Sequence, residues 1–349
     1  VRPLIFLFLL LLNTVTLANQ VHIIAVGDVL LHLPLQKKGG KDGFKSIWLA
    51  VIPQLRAADI TYGNLEGPAA EMIDMHGNVT EKESKAYTTF PMFNYPPALI
   101  TALRDSGFNI VSTANNHVLD RYAIGIDKTI SLLHNNWLAF TGTRRQNSQD
   151  VWYSTLKVND LSIVWLACTQ DTNGIFDKYR QVLHCNRDKQ LILSLIDQLA
   201  KSHDAVIVTP HWGVEYQTKP NQSQKKFAKE LAEAGALAIL GSHPHCMQPF
   251  SWLKTSQGKQ VFVAYSLGNF ISNQGSLKNR TSGLLSLYLE KNNKGVAIVK
   301  VAFSPTYMEN RGGQMQLHKV TNKKHAAYQW LKNLLGEEYL VINGHDKNR

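Results

Sequence analysis

The chain has 349 residues, 44% of them hydrophobic and 18% charged, with a formal net charge of +11. This is enough apolar content to bury a sizeable core, and it excludes a chain dominated by disorder. The positive balance favours polyanionic partners, but the basic residues are scattered with no recognition motif beside them, so nucleic acid is not an expected partner.

Nothing repeats at a fixed period, which excludes a solenoid or propeller. Residues 1–18 carry Arg2, an apolar run over 3–12 and small residues around Thr16-Leu17-Ala18, the pattern of a cleaved secretory signal. Left uncleaved, the segment would anchor the chain, although its charge-free run is shorter than the roughly 20 residues of a spanning helix. No second apolar run approaches that length, so the mature chain is expected to be periplasmic or secreted. Residues 19–335 read as one domain and 336–349 as a polar tail.

Past the signal, strand-like and helix-like segments alternate. VHIIAVG, over 21–27, is a β-branched run ending in glycine and reads as a buried strand. The spacing predicts a helix over 44–55, a short strand over 59–63, a helix over 97–106 with proline early in it, and a strand in FNIVSTANN. An amphipathic helix over 125–135 and a short strand over 138–142 follow. Residues 152–158 and 161–168 form a hairpin turning at Asn159-Asp160. A helix over 188–200, a strand over 204–209, a helix over 222–234 and a strand over 236–240 come next. Strands over 249–253, 260–265, 283–289 and 296–303 then succeed one another until a last helix near 324–335. Alternating units followed by antiparallel hairpins indicate an α/β protein, with two sheets face to face and helices outside. Of the three cysteines, Cys168 and Cys185 are the pair to test for a disulfide, and Cys246 is expected to be structural. The absence of any CxxC pair excludes the usual structural zinc site.

Polar residues gather at the ends of the buried strands, where open α/β sheets place their ligands. Asp28 stands in GDVLLH, Asn64 and Glu66 in GNLEGP, and Asn115, Asn116, His117 and Asp120 in NNHVLD. His211 and Glu215 stand in PHWGVE, and His243 and His245 in GSHPHCMQ. Each motif is weak alone, since an aspartate after glycine is usually a turn or a cap. Five successive strand ends, each supplying a metal-competent side chain, argue for a metal site. Pro244 is expected to hold His243 extended, so that both imidazoles face one site; His211 and Glu215 would converge likewise in an extended segment. Carboxylate, imidazole and amide oxygen together suit manganese, iron or zinc.

The series GDVLLH, GNLEGP, NNHVLD, HWGVEY, GSHPHCMQ and YSLGNF, spread over residues 21–270, resembles the capsule synthesis protein CapA family, also called the poly-γ-glutamate biosynthesis protein family. That family is similar to the calcineurin-like metallophosphoesterases. The resemblance implies a four-layer α-β-β-α sandwich holding one or two divalent ions on Asp28, Glu66, Asn116, His211, His243 and His245. Glu66 takes the place of a bridging aspartate, one methylene longer. His117 looks like the catalytic histidine, with Asp120 either orienting it or capping a helix. Leu30 stands where phosphoesterases usually carry a histidine, and His32 is the nearest substitute, as a ligand or behind one. Asn64 and Glu215 are further candidates of that kind, and Asn269 either faces substrate or forms a turn beside the site.

The implied activity is hydrolysis by a metal-activated hydroxide, in the metabolism of capsule or a poly-γ-glutamate-type polymer. An anionic polymer would be the substrate and envelope synthesis machinery a partner. Without a GxxxxGK[ST] loop, ATP-driven ligation would need another subunit. Two alternatives stand beside this: a non-catalytic envelope assembly subunit that binds the polymer, and a periplasmic phosphoesterase or nucleotidase.

Overall fold

The computed structural model describes residues 20–342, so the signal expected over 1–18 lies outside them. In chain order the strands are β1 (Gln20–Val29), β2 (Ile60–Leu65), β3 (Ile110–Ser112), β4 (Ala139–Thr141), β5 (Tyr153–Val158), β6 (Leu161–Thr169) and β7 (Ala205–His211). They continue with β8 (Ala238–Leu240), β9 (Phe250–Lys254), β10 (Gln260–Ala264), β11 (Asn269–Ile271), β12 (Thr281–Asn292), β13 (Gly295–Glu309) and β14 (Gln316–Lys319). One sheet runs β14-β13-β12-β1-β2-β3-β4, with β11 also paired to β1, and the other runs β5-β6-β7-β8-β10-β9.

Alternation along the strands builds the layers. Val21, Ile23 and Ala25 of β1 point between the sheets, where they meet Ile163 and Trp165 of β6 and Ile207 of β7. Ile24 and Val26 point the other way, onto Leu99, Leu103 and Leu133 of the helices Ala98–Asp105 and Tyr122–Asn135. On the second sheet, Val164, Leu166, Val206 and Val208 pack against Ile192, Ile196 and Leu231 of the helices Lys189–Ser202 and Gln222–Ala234. A period of two in strands that are apolar on both faces requires a covering layer on each side, and helix, sheet, sheet and helix follow.

The expected helix over 44–55 is instead two 3₁₀ turns, Phe44–Ile47 and Leu49–Val51, and a short α-helix, Ile52–Ala57. Pro53 explains the break, because proline fits the first turn of a helix but cannot continue one. An unexpected helix, Leu33–Asp42, precedes them. Its Gly39 lies under Phe44, whose ring would be 2.1 Å from an added Cβ. Packing sets that position, against helix propensity. The strands β11 and β14 and the short helix Leu277–Arg280 were also not expected.

Past residue 335 the chain stays docked. Leu340 pairs with Phe303 and Ile342 packs beside Tyr328, so the described start of the polar tail lies against the domain. Cys168 and Cys185 form a disulfide, and Cys246 is buried and free. No helix among the described residues is long and apolar enough to cross a membrane.

Candidate metal centre

The parallel register sets the strand ends side by side. Asp28 of β1 is level with Asn64 of β2, Asn64 is level with Ser112 of β3, and Thr169 of β6 is level with His211 of β7. Asp28 could not sit where it does with a side chain at position 27. A Cβ there would fall 1.9 Å from the Gly268 carbonyl, which accepts the Asp28 N–H at 2.9 Å. Glycine therefore lets the YSLGNF segment close over β1.

Two groups of side chains at these ends have the spacing of a metal site, and Glu66 belongs to both. One is Glu66, His211 and His243; the other is Asp28, Glu66 and His245. Within each group the donor atoms all lie within 4.8 Å of one another. Glu66 is completely buried and neither of its carboxylate oxygens has a hydrogen-bond partner. Its main-chain carbonyl is held by the Tyr95 hydroxyl, so the side chain is firmly placed. A buried carboxylate with both oxygens orphaned is costly unless a cation completes it.

His211 shows the same surplus of lone pairs. Its Nδ1 lies 2.9 Å from the Ser242 hydroxyl. Its Nε2 faces three acceptor-capable atoms: Asn116 Oδ1 at 2.9 Å, His243 Nδ1 at 3.2 Å and Glu66 Oε1 at 3.5 Å. One N–H can serve only one of these. With the proton on Nδ1, donated to Ser242, four lone-pair atoms converge on one point, as around a bound cation. His245 is arranged alike. Its Nδ1 is 3.1 Å from Asn269 Oδ1 and 3.2 Å from Asp28 Oδ2, while its Nε2 is 3.7 Å from Glu66 Oε1.

Crowding shows in the protonation equilibria. Burial, and then the Asp28 carboxylate, push the Glu66 carboxyl well above its ordinary range. Burial holds the His211 and His243 imidazoles low, helped by their neighbouring histidines. Burial also works against charge on His245, but Glu66 and Asp28 outweigh it and raise that imidazole to about 9. Ionised carboxylates and neutral imidazoles are the forms that bind metal, and the donor set fits a divalent ion.

Beside the cluster, His117 Nδ1 lies 2.8 Å from Asp120 Oδ2, which also accepts the Phe93 N–H at 2.6 Å. The Phe93 ring meets His117 edge-on at 4.7 Å. Asp120 thus fixes the imidazole and a loop together. Burial raises its carboxyl, with His117 offsetting part of the rise.

Residues 22–274 match the family model of the bacterial capsule synthesis protein PGA_cap. The chain belongs to this family. It is 29% identical over 281 residues to the PGA biosynthesis protein CapA of Bacillus subtilis, covering 77% of this chain and 68% of that one. It is 28% identical over 286 residues to the capsule biosynthesis protein CapA of Bacillus anthracis, covering 79% of this chain and 65% of that one, just under two thirds of its length. Among solved structures it is similar to the NAD nucleotidase of Haemophilus influenzae, with a TM-score of 0.51 and 13% identity, over 95% of this chain and 58% of that one. The chain therefore shares its fold with that nucleotidase.

Several sequence expectations for the family motifs need correction. The HPH segment is not extended: His243 and His245 have φ of 97° and 56°. The two imidazoles fall into different ligand groups, His243 with His211 and His245 with Asp28, with Glu66 common to both. The segment after His211 also turns, with Gly213 and Tyr216 at positive φ. Glu215 stays within electrostatic reach of Glu66, His243 and His245 but outside both ligand groups. Asn64 supports ligands from behind, donating to Asp28 Oδ1 at 2.9 Å.

His32 is outside the ligand groups too. It precedes the helix Leu33–Asp42, its Nδ1 accepts from the Asn273 N–H at 3.3 Å, and it packs edge-on against Phe93. Burial lowers its imidazole to about 4. Asn269 is buried beneath His245 and commits its amide to the His245 carbonyl, Gln274 and Asn279, so it does not face the site mouth. Cys246 packs away from the site with its thiol on the Gln217 carbonyl. Sequence reading missed Asn173, whose Asn-Gly turn carries only a loop signal, and Arg121, a buried arginine hidden in an ordinary helix start.

Proposed function

We propose that this capsule synthesis family member is a metal-dependent hydrolase of the phosphoesterase kind, acting outside the cytoplasm on an anionic envelope polymer. The observation that carries the reading is Glu66, whose two buried oxygens lack hydrogen bonds and which belongs to both the Asp28–His245 and the His211–His243 group. Asp28, Glu66, Asn116, His211, His243 and His245 would hold one or two ions of manganese, iron or zinc. Bound there, such ions supply Lewis acidity and lower the pKa of water towards neutrality.

The chain's own residues supply the rest. Asp120 accepts the Nδ1 proton of His117 and leaves Nε2 free to hold or deliver a proton at the leaving atom, the ester oxygen of a phosphodiester or the amide nitrogen of poly-γ-glutamate. Ser242 and Asn269 fix the rings of His211 and His245. The names of the two CapA relatives support a role in capsule or poly-γ-glutamate synthesis, where cleavage would trim or release chains. The net charge of +11 suits such a polymer. The Cys168–Cys185 disulfide supports an oxidising, extracytoplasmic location. The nucleotidase-type fold keeps a nucleotide as the second substrate class to assay.

The test is a substrate panel of a generic phosphodiester, a nucleotide and poly-γ-glutamate, run with metal-loaded and chelated protein. Metal-dependent turnover is expected. Full metal occupancy without turnover of any of them would favour a non-catalytic subunit of the envelope machinery.

A further inference from the structure

Asn116 can face the ligand cluster in two ways, since its amide oxygen and nitrogen are interchangeable in shape. Its Oδ1 faces His211 Nε2 at 2.9 Å, and its Nδ2 donates to Asn173 Oδ1 at 3.2 Å. Among the described residues that is the hydrogen bond Asn116 Nδ2 makes. Turning the amide over would set oxygen against oxygen at Asn173 and present an N–H₂ to the lone pairs of the cluster. We propose that Asn173 is a positioning residue that holds the oxygen of Asn116 towards the metal centre, an inference that rests on reading Asn116 as a ligand.

The loop is built to present it. Cys168, near the end of β6, and Cys185 close its base through their disulfide. Cys185 N–H also bonds the Thr169 carbonyl at 2.8 Å, and Thr169 N–H the Leu183 carbonyl at 3.0 Å. Within the loop the buried Asp177 carboxylate accepts the Gln181 and Val182 N–H groups at 2.9 and 3.0 Å. Asn173 itself has φ of 51°, before Gly174 at 75°, and its N–H bonds Asp171 Oδ1 at 2.9 Å. This left-handed position accepts asparagine, aspartate or glycine with little strain.

The Asn173 side chain also touches the flank, with Nδ2 3.4 Å from His117 Nδ1. Since Asp120 takes the proton of that nitrogen at 2.8 Å, the Asn173 contact packs against the ring without competing for it. One exposed amide therefore spans the ligand Asn116 and the imidazole of His117, both buried.

The test compares Mn²⁺ affinity, by competition titration, in the wild-type chain, Asn173→Gly and Asn173→Asp, with the thermal melt of each metal-free protein as a fold control. Asn173→Gly removes the side chain but tolerates the backbone, and is expected to weaken Mn²⁺ binding about 10-fold or more. Asn173→Asp keeps an acceptor for Asn116 and is expected to bind as tightly as wild type or tighter. Tight wild-type binding that Asn173→Gly leaves unchanged would overturn this proposal alone. So would an Asn173→Asp variant that folds and binds as weakly as Asn173→Gly, and this arm stands even where the glycine variant fails to fold. A wild-type chain that binds no Mn²⁺ would overturn the metal reading and this proposal with it.

Discussion

At the ends of β2, β7 and β8, Glu66, His211 and His243 crowd together with more lone pairs than protons. Beyond the end of β3, His117, Asp120 and Arg121 are buried too, yet the Asp120 carboxylate, His117 Nδ1 and the Arg121 guanidinium all have partners. Asp120 serves His117 and the Phe93 N–H. Arg121 spends its guanidinium on the carbonyls of Ile73, Ala86, Phe93 and Asp120 and on the Thr88 hydroxyl. Both places are largely buried, with His243 alone partly exposed, and the accounting of partners differs. The first region has the make-up of a cation site, whereas the second is a hydrogen-bonded scaffold that aims one imidazole and pins the loop carrying Phe93.

The sharpest way to break this comparison is Glu66→Ala, which removes the carboxylate common to both ligand groups. Metal content is expected to fall at both positions and turnover to drop to background, read by elemental analysis beside the phosphodiester assay. His117→Ala should lower turnover about 10²–10⁴-fold and leave metal content intact; a parallel loss of metal would merge the two regions.

Replacing Cys168 and Cys185 together by alanine frees the base of the Asn173 loop, which borders both regions. With a sequence separation of 17, the cost should be about 3 kcal/mol in urea unfolding. Arg121→Met should cost about 1–3 kcal/mol by stranding buried carbonyls, and should lower turnover without altering metal content.

The smallest effect concerns His32, which packs against Phe93 between the regions. Its folded pKa of about 4 lies below the ordinary 6.5. The unfolded chain therefore binds more protons between those values, and this stabilisation is present above pH 6.5 and lost as pH falls towards 4. In metal-free protein, His32→Gln is expected to flatten the loss of stability between pH 7 and pH 5; an unchanged slope would remove His32 from the explanation.

Much of this was legible in the sequence because it follows from local chemistry. Runs such as VHIIAVG and DAVIVTP are apolar on both faces, so they must be covered twice, and the four layers follow. The polar residues that terminate those runs are the ones that meet in space: Asp28, Glu66, Asn116, His211, His243 and His245. What was not legible depends on tertiary detail. Pro244 says nothing about the positive φ of His243 and His245, which a cluster with two sides around Glu66 requires. The helix Leu33–Asp42 contains adjacent glycines and few apolar residues, and only the Phe44 ring explains Gly39. Asn173 sits on a loop whose approach to Asn116 depends on a disulfide and on a distant strand register.

The central claim is that Glu66 is completed by a cation held together with one or both of its neighbouring groups. Anomalous diffraction from crystals of the full chain equilibrated with Mn²⁺ tests it most directly. The expected result is a peak within coordination distance of a Glu66 oxygen, flanked by Asp28 and His245 on one side or by His211, His243 and Asn116 on the other. An empty cluster at saturating Mn²⁺, with Glu66 hydrogen-bonded to a neighbouring side chain, would contradict it.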